Sequence, residues 1–266
     1  MSLISFMHDV PLWVPLLLLV GIAVFYSVGL MLLVRYFYGV DRLSLNNEVA
    51  GFKFAVVGVF YAVLLAFVVI AVWEEYRNTE TAVRDEAKAA VDLHRVAHAL
   101  PEESGKEIRE RLATYLEVVA KHEWPAMSLG KEYTATAKAL GRLGQAVFSM
   151  QPQSHQELAL YQEAIRLLAV ITDNRTERLD NANGSMPGVL WFVLIVGGLV
   201  TLGYPAFFAS TSIGAQVLMT ASLAGLVALA LLLALAFDFP FTGDVSISPD
   251  PFEEAKLQIQ QAWPAP

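Results

Sequence analysis

The chain has 266 residues, 56% of them hydrophobic and 17% charged, with a formal net charge of -8. So apolar a composition exceeds what a soluble globular domain hides, which makes lipid part of the solvent; the acidic balance, without a clustered Lys/Arg face, excludes nucleic acid as a partner. The absence of cysteine removes disulfides, thiolate metal sites and cysteine nucleophiles.

Pro11 to Val34 carries no charge. At about 1.5 Å rise per residue it is long enough to cross a hydrocarbon core of roughly 30 Å. A cleaved signal peptide is the alternative, but no Lys or Arg precedes the run and no small-residue cleavage site follows, so the segment is expected to be retained. Phe54 to Trp73 is a second span, entered by Lys53 and ended by an interfacial tryptophan before Glu74 and Glu75. The short link between them makes residues 1–73 an antiparallel hairpin, with spans at 11–34 and 54–73.

Residues 74–185 are charged and have helical periodicity, which predicts a soluble helical domain. Val83, Ala87, Ala90, Val91, Ala97 and Leu100 continue from the second span without a proline, so one long helix should leave the membrane. Ser104 with Glu107 and Ser154 with Glu157 fit the capping-box pattern, and each predicts a helix start. A weaker helix over 132–150 is interrupted by Gly141 and Gly144. Asn183, Gly184 and Pro187 close the domain.

Residues 186–237 form a second hairpin, with spans at 189–208 and 213–237 separated by Ser210, Thr211 and Ser212. An acidic tail, 238–266, follows. The predicted class is therefore an all-α membrane protein: four transmembrane helices in two hairpins, with a helical domain between spans two and three. Four spans put both termini and the domain on one side. Arg77, Arg84, Lys88, Arg175, Arg178 and Lys256 lie on the domain side, against Arg35, Arg42 and Lys53 in the first hairpin, which favours the cytoplasm for the domain.

Several local patterns carry a resemblance. Trp73-Glu74-Glu75-Tyr76, Glu86-Ala87, Glu123-Trp124-Pro125, the stretch Arg175 to Leu179 containing Arg178, and Asp238-Phe239-Pro240-Phe241-Thr242-Gly243 together resemble the bacterial DUF4239 family, described as bestrophin-like. The resemblance covers the chain from about the first span to Asp250. It implies structural roles for Trp73, Glu86, Trp124, Pro125, Arg175, Arg178, Asp238, Pro240, Phe241 and Gly243. It further implies a bacterial inner-membrane protein that self-associates, as a pentamer by analogy with bestrophins, and conducts inorganic ions through a pore lined by the second span.

On that span Val57, Tyr61, Leu64, Val68 and Ala71 form one helical stripe, the candidate pore lining, while Val56, Phe60, Phe67 and Ile70 lie close to another. Plain helix packing is the competing role for these residues. Glu74 and Glu75 are candidates for a carboxylate ring at the mouth, against solvated helix-end carboxylates as the alternative.

His94 and His98 share a helix face at a spacing that chelates zinc, but Arg95 stands where a metalloprotease motif needs its glutamate. Exposed helix histidines are the expectation, with His122, Glu123 and His155 as candidate third ligands. Asp238, Asp244, Asp250, Glu253 and Glu254 supply oxygens suited to calcium but lack an EF-hand register. Pro240 and Gly243 instead suggest a chain reversal, with Asp238 capping or pairing with Arg175 or Arg178. Neither a resident metal nor a cofactor is expected, and no catalytic set is recognisable. A membrane-anchored helical sensor or assembly scaffold without conduction remains the alternative function.

Overall fold

The computed structural model describes residues 10–131 and 133–262. In chain order the α-helices are α1 (Trp13–Tyr38), α2 (Val40–Ser44), α3 (Asn47–Ala99), α4 (Glu102–Val118), α5 (Trp124–Ser128), α6 (Thr134–Phe148), α7 (His155–Asp180), α8 (Gly188–Gly203), α9 (Ile213–Asp238) and α10 (Asp250–Ala262). A π-helical turn, Val119–Glu123, precedes α5; short 3-10 turns, Asn181–Asn183 and Tyr204–Phe207, follow α7 and α8. Among the described residues every regular element is helical. Four helical stretches are long and apolar enough to cross a membrane. The protein is an all-α membrane protein with two hairpins of spans and a helical domain between spans two and three.

The chain forms two compact units, one of residues 10–75 with 185–238 and the other of 76–184 with 239–262. In the first, α1 packs along α9 and against the turn after α8. Its core sets Tyr61, Leu65, Val68 and Val72 of α3 against Leu194 and Leu202 of α8 and Ala224, Val227 and Ala234 of α9. Small residues on α8 and α9 let the backbones approach closely, which drives association where water supplies no hydrophobic force. The tightest case is Tyr61, whose ring covers Gly197 and Gly198: a Cβ at either glycine would meet it at 2.9 Å. On α9 the small residues Ala224 and Ala228 are buried, whereas among the described residues nothing lies within 4 Å of where a Cβ on Gly225 would stand.

In the second unit the core joins Val83, Ala90 and Leu93 of α3, Ile108, Leu112 and Leu116 of α4, Leu143 and Val147 of α6, and Leu168 and Ile171 of α7. Ser154 caps α7 as its sequence predicts: its hydroxyl accepts the Glu157 amide at 3.1 Å, and Glu157 reaches back to the Gln153 amide at 2.8 Å. Ser104 does not start α4. That helix begins at Glu102, because extended Pro101 (φ -51, ψ 140) turns the chain and Glu102 and Glu103 supply negative charge to the first turn. Gly105 is then required, since a Cβ there would come within 2.2 Å of the Ala97 carbonyl oxygen. Gly141 and Gly144 do not interrupt α6, which runs unbroken from Thr134 to Phe148; Glu132 lies outside the described residues.

The segment after Asp238 belongs to this unit. Gly243 adopts φ +81, a conformation open to glycine, and the Ile247 amide returns to the Pro240 carbonyl at 2.8 Å, closing the reversal that Pro240 and Gly243 suggest. Phe241 and Phe252 are buried, each packed edge-on against Trp124.

Candidate functional site

The second span presents two different faces. Tyr61 and Val68 are buried inside the unit, Val57 and Leu64 are half-buried, and only Ala71 of that stripe is exposed. Tyr61 donates its hydroxyl to the Leu194 carbonyl at 3.2 Å, which satisfies a polar group within the span. Five other residues, Val56, Phe60, Val63, Phe67 and Ile70, are between 49% and 75% exposed. Their spacings of four, three, four and three define a single seam along the helix. Glu74 lies four residues beyond Ile70 and is exposed, whereas Glu75 is half-buried. Trp73 stacks edge-on against Phe237, ring centroids 4.8 Å apart.

The family-motif residues of the second unit converge on a buried ionic cluster. Arg178 on α7, wholly buried, donates from Nε and Nη2 to the two oxygens of Glu86 on α3, at 2.8 and 3.1 Å, and from Nη2 to Glu123 at 2.9 Å. Arg175, one turn earlier, donates to the other Glu123 oxygen at 2.6 Å. Tyr115 of α4 donates its hydroxyl to Glu86. The guanidinium of Arg178 lies 5.3 Å from the Trp124 ring centroid and 5.7 Å from that of Phe252. Two arginines and two glutamates make the set formally neutral. Burial alone would lower the pKa of Arg178, but the Glu86 carboxylate and its hydrogen bonds more than reverse this and hold it above its ordinary value. Burial first, and then the Glu86 charge, push the Tyr115 hydroxyl well up.

Proline explains how Glu123 enters this cluster. Pro125 has no N–H for the carbonyl four residues back, and its ring would crowd that carbonyl. The preceding turn widens to π geometry, with the Trp124 amide reaching the Val119 carbonyl, and Glu123 is buried. Pro125 itself is exposed at the start of α5. Tyr115, Met127 and the buried Asn181–Thr79 hydrogen bond, 2.9 Å, were not marked as site residues by the sequence. The legible signal was Arg175 and Arg178 one turn apart on a helix with apolar neighbours.

Asp238 pairs with neither arginine. Both arginines are held by Glu86 and Glu123, while Asp238 accepts the Ser185 and Met186 amides at 3.0 and 2.9 Å and the Trp191 indole N–H at 2.9 Å. It therefore satisfies free donors ahead of α8, the N-terminal role a carboxylate fills best. The other tail acids are dispersed: Asp250 accepts from Ser248, and Glu253 pairs with Lys256.

The imidazoles of His94 and His98 lie 4.9 Å apart, but His94 is buried rather than exposed. Glu123 is engaged by the arginines, and His122 stacks on Tyr133. Among the described residues no group of three His, Cys, Asp or Glu is arranged to hold a metal.

A family model described as a Bestrophin-like domain matches residues 20–252. Comparison with curated proteins gives no match. Among solved structures, a point variant of a bacterial bestrophin homologue from Klebsiella pneumoniae is 14% identical, covering 92% of this chain and 98% of that one with a TM-score of 0.65. A second variant of that homologue is 12% identical over 92% of this chain and 97% of that one, with a TM-score of 0.68. A variant described as a membrane protein is 12% identical with the same coverages and a TM-score of 0.65. At such identities the likeness is one of fold.

Proposed function

The chain belongs to the bestrophin-like family, and from that premise we propose that it is a homo-oligomeric, non-enzymatic ion channel whose pore is lined by the exposed seam of its second span. Within the family we read it as a DUF4239 member, on Trp73-Glu74-Glu75-Tyr76 and the Asp238 to Gly243 segment. We assign it to a bacterial inner membrane, with residues 74–185 and the tail in the cytoplasm, on the distribution of basic residues around the spans. Five copies are the number that bestrophin analogy supplies.

The observation that carries the reading is the seam itself. Val56, Phe60, Val63, Phe67 and Ile70 are about half or more exposed in the subunit, and their heptad-like spacing keeps one face of a helix toward an axis. Tyr61, Leu64 and Val68 are occupied by packing on α8 and α9, which favours this seam over their stripe as the lining. An apolar aromatic constriction of this kind gates by dewetting, and Glu74 at its end would supply a ring of carboxylates that attracts cations.

The test is ion flux from liposomes carrying the purified oligomer. Phe67→Ser should raise flux above wild type by easing wetting, whereas Leu64→Ser should not. Glu74→Gln should lower cation preference, most visibly at low salt, where charge is poorly screened. A rise with Leu64→Ser and none with Phe67→Ser would return the lining to the Tyr61 stripe. Absence of flux in wild type and both serine variants, from folded oligomer, would favour a sensor or scaffold.

A further inference from the structure

At the end of the hairpins opposite Glu74, counted along the spans, Arg35 stands one turn before the end of α1 and is half-buried. It donates from Nη1 to two neutral oxygens, the Ser210 carbonyl at 2.8 Å and the Gln216 side chain at 2.7 Å. No carboxylate of the described residues lies within ion-pair distance of it. A half-buried guanidinium with only neutral partners keeps part of its charge uncompensated, which an anion relieves.

Ser210 and Gln216 also line a pocket of about 440 Å³ whose walls are otherwise mainly apolar: Phe54, Pro205, Phe208, Met219 and Leu223. The volume lies in the range of small-molecule sites. Its wall is fixed in advance. Asn47 holds Ala209 through both backbone groups, at 2.7 and 3.0 Å, and the Gln216 amide nitrogen holds the Phe208 carbonyl at 2.6 Å. Tyr36, Phe37 and Tyr38, all at least 60% exposed, follow Arg35 directly, as aromatic residues do at headgroup depth.

We propose that this pocket binds one anionic phospholipid per subunit, its phosphate on Arg35 and one acyl chain along Phe54, Pro205, Phe208, Met219 and Leu223. Charge complementarity selects the occupant. Arginine offers a planar set of donors suited to phosphate oxygens, and among the described residues only its Nη1 is engaged, which leaves Nε and Nη2 for them. A zwitterionic lipid presents the same phosphate with a compensating ammonium and should bind less well. The inference requires a membrane-spanning hairpin and is independent of conduction.

Native mass spectrometry of the intact assembly, released from micelles with equimolar phosphatidylglycerol and phosphatidylcholine, tests it. Wild type should retain about one phosphatidylglycerol per subunit in preference to phosphatidylcholine. Arg35→Gln should lower that retention roughly tenfold or more, the value of a charge-assisted hydrogen bond, and remove the preference; Arg35→Lys should keep part of it. Met219→Trp, which fills the pocket from an exposed position, should lower retention with Arg35 intact. Should Arg35→Gln fail to fold because it no longer pins Ser210, the Lys and Trp variants still decide. Equal retention of both lipids by wild type, or retention unchanged by Met219→Trp, overturns the proposal. So does an assembly that retains neither lipid, as when a second copy covers the pocket, or one in which soluble glycerol phosphate displaces the phospholipid at equal concentration, since the chain would then contribute nothing.

Discussion

Arg178 and Glu86 share two hydrogen bonds, 2.8 and 3.1 Å long, across 92 residues of sequence, and neither side chain has any exposure. A buried pair gains little over an apolar pair of the same shape, yet loses much when one member is removed, because the other charge stays buried alone. Arg178→Met should therefore cost about 3 to 5 kcal/mol in detergent-solubilised protein, read from the denaturation midpoint. Arg178→Lys should recover little of this, since an ammonium cannot reproduce the bidentate contact. The double variant Glu86→Leu with Arg178→Met leaves Glu123 paired with Arg175, and should be less destabilised than Arg178→Met alone. A double variant as unstable as the sum of the singles would mean that the two side chains do not act as a pair.

Tyr61 and its glycines set a second test. With 2.9 Å from a hypothetical Cβ to the ring or hydroxyl, Gly197→Ala and Gly198→Ala should each destabilise by roughly 1 to 3 kcal/mol, the usual cost of overpacking. Tyr61→Phe should cost only about 1 kcal/mol, the loss of one hydrogen bond to Leu194. Gly225→Ala meets nothing among the described residues and should leave folding of the subunit unchanged. Thermal unfolding of the four variants separates these outcomes; equal losses at all three glycines would remove the special role of the Tyr61 contact.

These pairs also mark what can be read from the chain. The four spans were legible because the length of a hydrocarbon core is a one-dimensional constraint, met by counting uncharged residues. Which face of the second span is covered was not, since a helix apolar on every side carries no phase signal: Tyr61 and Phe67 look alike until one is found buried over Gly197 and the other exposed. Charge pairing was hidden for a different reason. Arg178 had Asp238 and Glu86 both available, and only the tertiary path, with Asp238 drawn to the Ser185 and Met186 amides, decides between them. The Ser154 cap succeeded and the Ser104 cap failed because Pro101, three residues earlier, already fixes the start of α4.

His94 gives the domain a dependence on acidity. Burial, then the neighbouring His98 and Arg109, lower its pKa from 6.5 to about 4. The unfolded chain takes up this proton near pH 6.5 and the folded chain only near 4, so stability is full above pH 6.5 and falls as the pH drops towards 4. The loss should level off below pH 4 as far as this residue is concerned. His94→Gln should flatten the midpoint-against-pH curve in that window. A wild-type curve that is already flat between pH 6.5 and 4 would contradict the assignment.

Sidedness can be tested directly because the chain has no cysteine to replace. Basic residues near span ends resist translocation, and Arg77, Arg84, Lys88, Arg175 and Arg178 flank the spans on the domain side, whereas the loop between the third and fourth spans carries none. Lys106 and Thr211 are both exposed, one on α4 and the other in that loop, so a single cysteine at either should be reachable without disturbing packing. In intact cells, an impermeant thiol reagent should label Thr211→Cys and leave Lys106→Cys unlabelled until the membrane is opened. Permeabilised cells control for reactivity, since both should then react. Labelling of Lys106→Cys and protection of Thr211→Cys in intact cells would invert the topology, moving Glu74 to the outer mouth and Arg35, with its lipid, to the cytoplasmic leaflet. Because anionic headgroups are abundant in that leaflet, the proposed lipid site beside Arg35 would survive such an inversion, whereas the assignment of the domain to the cytoplasm would not.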